Sequence, residues 1–377
     1  MDFELYRHAA LRILDGDAAR LYAPFETEQS LFKYAPFWAL CWTPLGYLPS
    51  QLGSVLWSSL TVVWVLATCW MSHRLCLLAN LRSTSALAIP TVLLIVRAIT
   101  EEFLQGQTNM LWGMLIAGFL LGAATQRRWR AACCLALAIS LKLPALVFLP
   151  YLAIRRSWAL LARVAICGVA LNLLAAALLL PSQPFQLFHD WAQTLIRSGP
   201  DRAFEIGNQS LLALMGRLLR NDGYGFNVLA LSNSAVVAAS ALVLVALFSS
   251  LFAPHAVRLS QPRRIVLDGA LLTVLMVLFS PTCWVATYTA LFCPMFMALA
   301  LFLQDPRSTW RSLPLVTGAV ATSAFSLMTS AKFWRFVGVR HINGESYVYL
   351  VLMTLPLFGL SLAWYLWHQR ALLARHS

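Results

Sequence analysis

Runs of near 20 predominantly apolar residues recur along this chain, over 52–72, 108–126, 161–180, 227–252 and 285–303. A helix of roughly 20 residues, at about 1.5 Å of rise each, matches the ~30 Å hydrocarbon core of a bilayer. No other feature restricts the fold as strongly. Backbone polar groups inside a bilayer find no water, and an α-helix satisfies them within its own segment. Composition agrees: 60% of the 377 residues are hydrophobic and 11% are charged, against roughly 45–50% and 25% in soluble domains. A cytosolic enzyme, a disordered chain and a secreted disulfide scaffold are excluded. The cysteines (Cys41, Cys69, Cys76, Cys133, Cys134, Cys167, Cys283 and Cys293) lie in or beside apolar segments at no metal-ligand spacing. They read as small buried hydrophobes.

Shorter runs complete an all-α, polytopic membrane bundle. About eleven membrane helices are expected, near 52–72, 86–99, 108–126, 131–141, 144–154, 161–180, 227–252, 265–280, 285–303, 313–330 and 347–367, some of them short or broken. The net charge of +13 does not indicate nucleic acid, because the basic residues cluster at alternate loop ends. Arg74 and Arg82, Arg127-Arg128 with Arg130, Arg155-Arg156, Arg263-Arg264, Arg307 with Arg311, and Arg370 with Arg375 share a face on which only Asp268 and Asp305 are acidic. The positive-inside rule makes that face cytoplasmic. Parity then constrains residues 131–154. As one span they put Arg155 on the face opposite Arg128; as two half-spans turning at Lys142-Leu143-Pro144 they keep both clusters together. Proline disfavours helix at the residue before it, so we expect the hairpin. Parity also puts residues 1–50 outside with nothing ahead to carry them across, so an additional N-terminal membrane helix is expected in the natural protein.

The polar material gathers in two outer stretches, a juxtamembrane segment over 1–50 and a loop over 182–226, with smaller pieces at 100–107 and 331–346. These are parts of one polytopic domain, 1–377. Residues 2–14, 184–197 and 210–220 carry amphipathic patterns suited to the membrane surface. Residues 31–50 are aromatic but interrupted by Pro36, Pro44 and Pro49, which suits an interfacial or re-entrant segment. Long acid-rich outer loops over short inner ones point to work at the outer face. No Gly-rich phosphate loop, zinc motif or Ser-His-Asp arrangement is present.

A series of short motifs runs in order along the chain: Asp2-Phe3-x-x-Tyr6, Gly16, Leu21-Tyr22, Phe32-x-Tyr34-x-Pro36-Phe37, Pro44, Leu48-Pro49, Gly106-Gln107-x-Asn109, Lys142-x-Pro144, Asn208-Gln209-Ser210 and Ser280-Pro281-x-x-Trp284. In order and spacing this resembles the polyprenol-phosphate-mannose-dependent mannosyltransferases of glycosyltransferase family 87, membrane enzymes of the GT-C class. The resemblance covers most of residues 1–290. It implies a GT-C-like bundle of roughly a dozen helices, the first of which is expected to be missing here. It also implies a polyprenyl-phosphate sugar donor, mannosyl or in some relatives arabinosyl, and transfer to a hydroxyl with inversion and no covalent intermediate. The expected partners are that donor, a glycolipid or glycan acceptor and the bilayer. No cofactor is expected; a divalent metal is compatible with the chemistry, but no ligand set is visible. Three departures stand out: Ala35 replaces the first proline of the usual Tyr-Pro-Pro, Cys283 replaces the second serine of the usual Ser-Pro-x-Ser-Trp, and Ala286 stands where the family carries histidine.

Such a site needs a general base for the acceptor hydroxyl, and positive charge with hydrogen-bond donors for the departing phosphate. Asp2 matches the family's first-loop aspartate and is the expected base, the competing reading being a helix N-cap; Glu4 is the fallback. Tyr6 either orients the donor sugar or faces the interface. Lys142 is an ionisable group within the membrane, a functional candidate by default. It either approaches the donor phosphate or snorkels. Arg97 and Glu101, at i and i+4, form a structural ion pair unless Arg97 shares the phosphate. Gln105, Gln107 and Asn109, and likewise Asn208, Gln209 and Ser210, are expected to bind sugar or cap the helices that follow. Trp284 joins the donor-binding set by its motif. Arg217, seven residues beyond Ser210, either binds a phosphate or lipid headgroup or, as expected here, lies on a solvated helix face. His189-Asp190 are adjacent in sequence and are not expected to bind metal.

The expected activity is therefore that of an outer-face glycosyltransferase. A transporter of lipid-linked sugars would require polar residues through the membrane middle and an internal repeat. A non-catalytic membrane subunit would tolerate changes at Asp2, Gln107 and Lys142. Three of the 28 basic residues are lysine, a bias of GC-rich genomes that suggests a bacterial cytoplasmic membrane.

Overall fold

A computed structural model describes residues 2–25, 31–205, 207–220, 229–252, 260–304 and 316–324. The expected span over 347–367, the end of that over 313–330, the outer piece 331–346 and residues 221–226 of the outer loop lie outside them. Among the described residues these α-helices follow in order, ahead of a further helical stretch over 316–324. They are α1 (Asp2–Leu14), α2 (Pro36–Trp42), α3 (Ser50–Leu78), α4 (Ala88–Leu94), α5 (Val96–Gln105), α6 (Asn109–Ala124) and α7 (Arg128–Leu141). Next come α8 (Phe148–Ile154), α9 (Trp158–Leu179), α10 (Pro184–Ala203), α11 (Leu211–Leu219), α12 (Asn233–Ser249), α13 (Gln261–Leu278) and α14 (Phe292–Gln304). Among the described residues the extended pairing is a single bridge, Arg220 to Leu231.

The chain is a multi-pass membrane protein. Three helical stretches, Ser50–Leu78, Trp158–Leu179 and Val285–Leu303, are long and apolar enough to cross a bilayer, and α5 with α6 makes a fourth if that pair, bent by 119°, counts as one span. The described residues thus show three or four of the eleven crossings expected. The run over 86–99 is not one helix. It breaks at Ile95 between α4 and α5, because the residues that follow carry Arg97, Glu101 and Glu102, which an apolar span cannot place in lipid. Outward residues of α3 and α9 such as Val63, Leu66, Val169 and Leu174 are exposed, as lipid-facing side chains are.

At the centre stands α6, apolar on all sides and buried along nearly its whole length. Its glycines permit close approach: a Cβ on Gly113 would lie 2.8 Å from Cα of Ala290, and one on Gly122 2.8 Å from the backbone nitrogen of Ala131. Small residues perform this role where lipid offers no hydrophobic drive for association. Asn172 of α9, buried, donates to Ser140 Oγ on α7 (2.8 Å) and accepts from the backbone of Phe37 on α2 (3.3 Å).

Two cavities lie at opposite ends of this core. Gln107, Lys142, Pro144 and Trp191 line one, while Ala123, Arg128, Arg155 and Trp158 line the other. The chain therefore runs away from the second cavity along α7, turns at Lys142 in extended backbone (φ −148°, ψ 121°), and returns along Leu143–Ile154. Arg128 and Arg155-Arg156 end together, as the charge pattern required.

Candidate active site

The first cavity has a volume of about 740 Å³, well inside the ~300–1,000 Å³ of ligand pockets. The segments that meet there are α1, the extended stretch before α2, α5 and its turn into α6, the break after α7, α10, the loop before α11 and residues 280–287.

Asp2 reaches the cavity from the first turn of α1, where the helix dipole favours a carboxylate. One turn on, Tyr6 anchors that helix. Its ring centroid lies 4.3 Å from that of Trp42, 5.0 Å from Trp57 and 5.4 Å from Tyr34, and its hydroxyl is 2.9 Å from that of Tyr34. Burial pushes both phenols above their usual range and the Asp2 carboxylate adds to it at each; Tyr34 raises Tyr6 further, while the hydrogen bond with Tyr6 partly offsets the rise at Tyr34. Tyr6 is fully buried and does not itself line the cavity. Glu4 points elsewhere: it accepts from Ser50 Oγ and lies 4.0 Å from Arg7. Gly106, at φ +65°, lets the turn into α6 press on α1; a Cβ there would sit 2.6 Å from Cβ of Phe3.

A hydrogen-bond relay runs along one wall. Lys142 Nζ donates to Asn109 Oδ1. Asn109 Nδ2 donates to Gln107 Oε1 (2.6 Å) and Glu102 Oε2 (2.8 Å). Gln107 Nε2 donates to Gln105 Oε1 (2.6 Å), and Gln105 Nε2 to Glu101 Oε2 (2.8 Å). Arg97 donates to Glu101 Oε1, so the ion pair read from the i, i+4 spacing is present. An ammonium only donates and a carboxylate only accepts. With Lys142 at one end and Glu101 at the other, the three amides between them have one consistent orientation. Glu102 is buried and also accepts from the backbone of Met110 (2.8 Å). Lys142, Gln107, Gln105, Glu101 and Arg97 line the cavity; Asn109 and Glu102 lie behind them.

On the opposite wall, Gln209 lines the cavity but Asn208 and Ser210 do not. Asn208 is a clip. Its Nδ2 donates to the carbonyls of Ala203 (2.8 Å) and Pro281 (2.7 Å), and its Oδ1 accepts from the backbone of Ser210 (3.0 Å) and Cys283 (2.9 Å). Ser210 is the N-cap of α11, accepting from Ala213 N at 3.1 Å. Arg217 is not on a solvated face. It is buried and donates to the carbonyls of Asn208 (2.7 Å) and Glu205 (3.2 Å), because the loop before α11 folds back over it. Trp284 lines the cavity, and its ring would meet a Cβ on Gly207 at 2.4 Å. Ala286 is in the same wall.

Lys33, Tyr34, Trp191, Ser280, Thr282 and Thr287 also line the cavity, and the sequence reading did not name them as site residues. Trp191 is set by donation from Nε1 to the carbonyl of Lys33 (2.9 Å). Tyr34 and Ser280 belonged to recognised motifs, which was a usable signal; Trp191 and Thr287 carried none. Among the described residues no group of three or more His, Cys, Asp or Glu comes together. His189 and Asp190 are 3.3 Å apart on the exposed surface of α10. A carboxylate, a lysine held by amides and several hydrogen-bond donors around one cavity suit proton removal from a hydroxyl and stabilisation of an anion.

Comparison with known proteins finds that the family model described as Glycosyltransferase family 87 matches residues 32–281. A relative from Mycolicibacterium smegmatis (strain ATCC 700084 / mc(2)155), the polyprenol-phosphate-mannose-dependent alpha-(1-2)-phosphatidylinositol mannoside mannosyltransferase, is 26% identical over 387 aligned positions, covering 96% of this chain and 83% of the relative. Among solved structures, ArnT from Cupriavidus metallidurans bound to undecaprenyl phosphate matches at 13% identity and a TM-score of 0.38, over 97% of this chain and 73% of that one.

Proposed function

The chain belongs to glycosyltransferase family 87, and from that premise we propose that it moves a sugar, mannosyl, from a polyprenyl-phosphate donor to a hydroxyl acceptor. The transfer takes place at the outer face of a bacterial cytoplasmic membrane, within a GT-C-like bundle of about eleven membrane helices. Residues 1–50 and 182–226 lie on that outer face. The observation that carries the reading is the convergence of Asp2 and Lys142 on one cavity, from segments 140 residues apart in sequence. The activity for which the mycobacterial relative is named supports the donor and the sugar.

Asp2 takes the proton of the acceptor hydroxyl. The hydroxyl oxygen attacks the anomeric carbon from the side opposite the leaving group, and the carbon–oxygen bond to phosphate breaks. Polyprenyl phosphate departs with the electron pair. A single displacement inverts the anomeric centre. Lys142 stabilises the phosphate, and Asn109 fixes Lys142. Gln105, Gln107, Gln209 and Trp284 line the sugar's space, with Arg97 at the rim paired to Glu101. Asn208, Ser210 and Tyr6 shape the walls from behind. The scheme requires no cofactor, since Lys142 supplies the positive charge.

The test is release of labelled sugar from polyprenyl-phosphate mannose by membranes carrying the full chain. Wild type is expected to turn the donor over, Asp2→Asn to lose at least about a hundredfold, the scale of general-base removal, and Glu4→Gln to retain activity. Wild-type rates in Asp2→Asn with loss in Glu4→Gln would transfer the role to Glu4. Wild-type rates in both would overturn the assignment.

A further inference from the structure

The second cavity, of about 330 Å³, has no part in the reaction scheme. Arg128 from the start of α7, Arg155 and Arg156 from the end of α8, and Arg264 from the first turns of α13 all line it. Among the described residues no Asp or Glu lines it. The carboxylate of Asp268 is buried close by, but it accepts from Tyr151 (2.6 Å) and from Arg155 (3.0 Å). Nε of Arg155 is buried without a hydrogen-bond partner. A topology signal needs basic residues at this face; it does not need four guanidinium groups from three segments around one hollow.

The floor of the cavity is apolar, with Phe119, Phe148 and Leu272. At its mouth stands Trp158, 60% exposed at the start of α9, the helix whose outer face meets lipid. Tryptophan is enriched at the headgroup level of bilayers. The site is therefore amphipathic and opens towards the bilayer. We propose that it binds the phosphate of an anionic phospholipid headgroup from the leaflet at that face. Guanidinium groups recognise phosphate oxygens by paired hydrogen bonds, and basic pockets between membrane helices accept such headgroups. The apolar floor separates this ligand from free phosphate, which has nothing to place there.

The full chain is reconstituted in nanodiscs of phosphatidylcholine and phosphatidylglycerol in equal amounts, released gently, and its retained lipid counted by native mass spectrometry. Wild type is expected to keep phosphatidylglycerol in preference to phosphatidylcholine. Arg264→Gln should weaken retention about fivefold and Arg128→Gln/Arg264→Gln about thirtyfold, the factors for about 1 kcal/mol per cation near an anionic surface. Arg155 is left in place because it holds Asp268. The single variant keeps the measurement readable if the double variant does not fold. Arg74→Gln/Arg82→Gln removes equal charge away from the cavity and should retain lipid as wild type does. Equal loss in that control, or no loss in the cavity variants, overturns the proposal. Binding of inorganic phosphate alone with the same arginine dependence, displacing the lipid, would make this a free-anion site and overturn the lipid assignment.

Discussion

Replacing Asn109 by leucine changes the side-chain volume little and removes three hydrogen bonds at once. These are the acceptance from Lys142 and the donations to Gln107 (2.6 Å) and Glu102 (2.8 Å). Hydrogen bonds between membrane helices average about 0.6 kcal/mol and reach about 1.7, so the loss is about 2 kcal/mol, rising towards 5. Two of the three partners are ionisable, which favours the upper half of that range. A second buried asparagine provides the comparison. Asn172 also bonds to two helices, through Ser140 and Phe37, but stands outside the relay. Thermal unfolding of the purified protein should show both Asn109→Leu and Asn172→Leu destabilised. Donor-turnover kinetics should separate them, with kcat falling about ten- to a hundredfold in Asn109→Leu alone, a misplaced Lys142 costing less than the ~10²–10³ of a missing donor. Asn109→Asp restores an acceptor for Lys142 while setting a carboxylate oxygen against Glu102; it should recover part of kcat and remain destabilised. Equal kcat losses at the two asparagines, or none at Asn109, would refute the view that the relay positions Lys142.

Lys142→Met should lower donor turnover about a hundredfold or more with the fold intact; a change within threefold returns Lys142 to a snorkelling role. Gly106→Ala forces a Cβ onto φ +65° and against Phe3, so a stability loss above about 1 kcal/mol, with reduced turnover as α1 shifts, is expected; an unchanged melting temperature contradicts it. Asp268→Asn removes the buried carboxylate that pairs with half-buried Arg155 and should cost about 1–3 kcal/mol, read by denaturation, without direct effect on the reaction cavity. The phenol of Tyr6 is held protonated in the fold while an unfolded tyrosine ionises near pH ~10, so stability contributed below that pH is lost above it. Tyr6→Phe should therefore lessen the alkaline fall by up to about 1.4 kcal/mol per pH unit; an identical slope would show that Tyr6 ionises normally. A chelator is expected to leave turnover unchanged, and loss restored by magnesium or manganese would place a divalent cation beside the donor phosphate.

What the sequence determined by itself was the medium and the direction of the chain. Apolar length and the alternation of arginine clusters identify a membrane bundle, and parity alone demanded a reversal at Lys142, where the helix does break. These features are legible because the cost of a charge or a bare backbone in lipid is large and local, so each segment shows it without reference to the rest. Individual motifs likewise contained several of the cavity-lining residues, among them Asp2, Gln107, Lys142, Gln209 and Trp284. Which motif residues face the cavity was decided only in three dimensions. Gln209 lines it while its neighbours Asn208 and Ser210 hold the loop, and Gln107 lines it while Asn109 stands behind. Tyr6 and Arg217, which patterns placed at a sugar, an interface or a solvated face, are buried supports. Hydrogen-bond partners explain the division. Lys142 and Asn109 are 33 residues apart, and Asn208 and Cys283 75, so the partner that consumes a polar group is supplied by packing, and the local sequence contains no record of it.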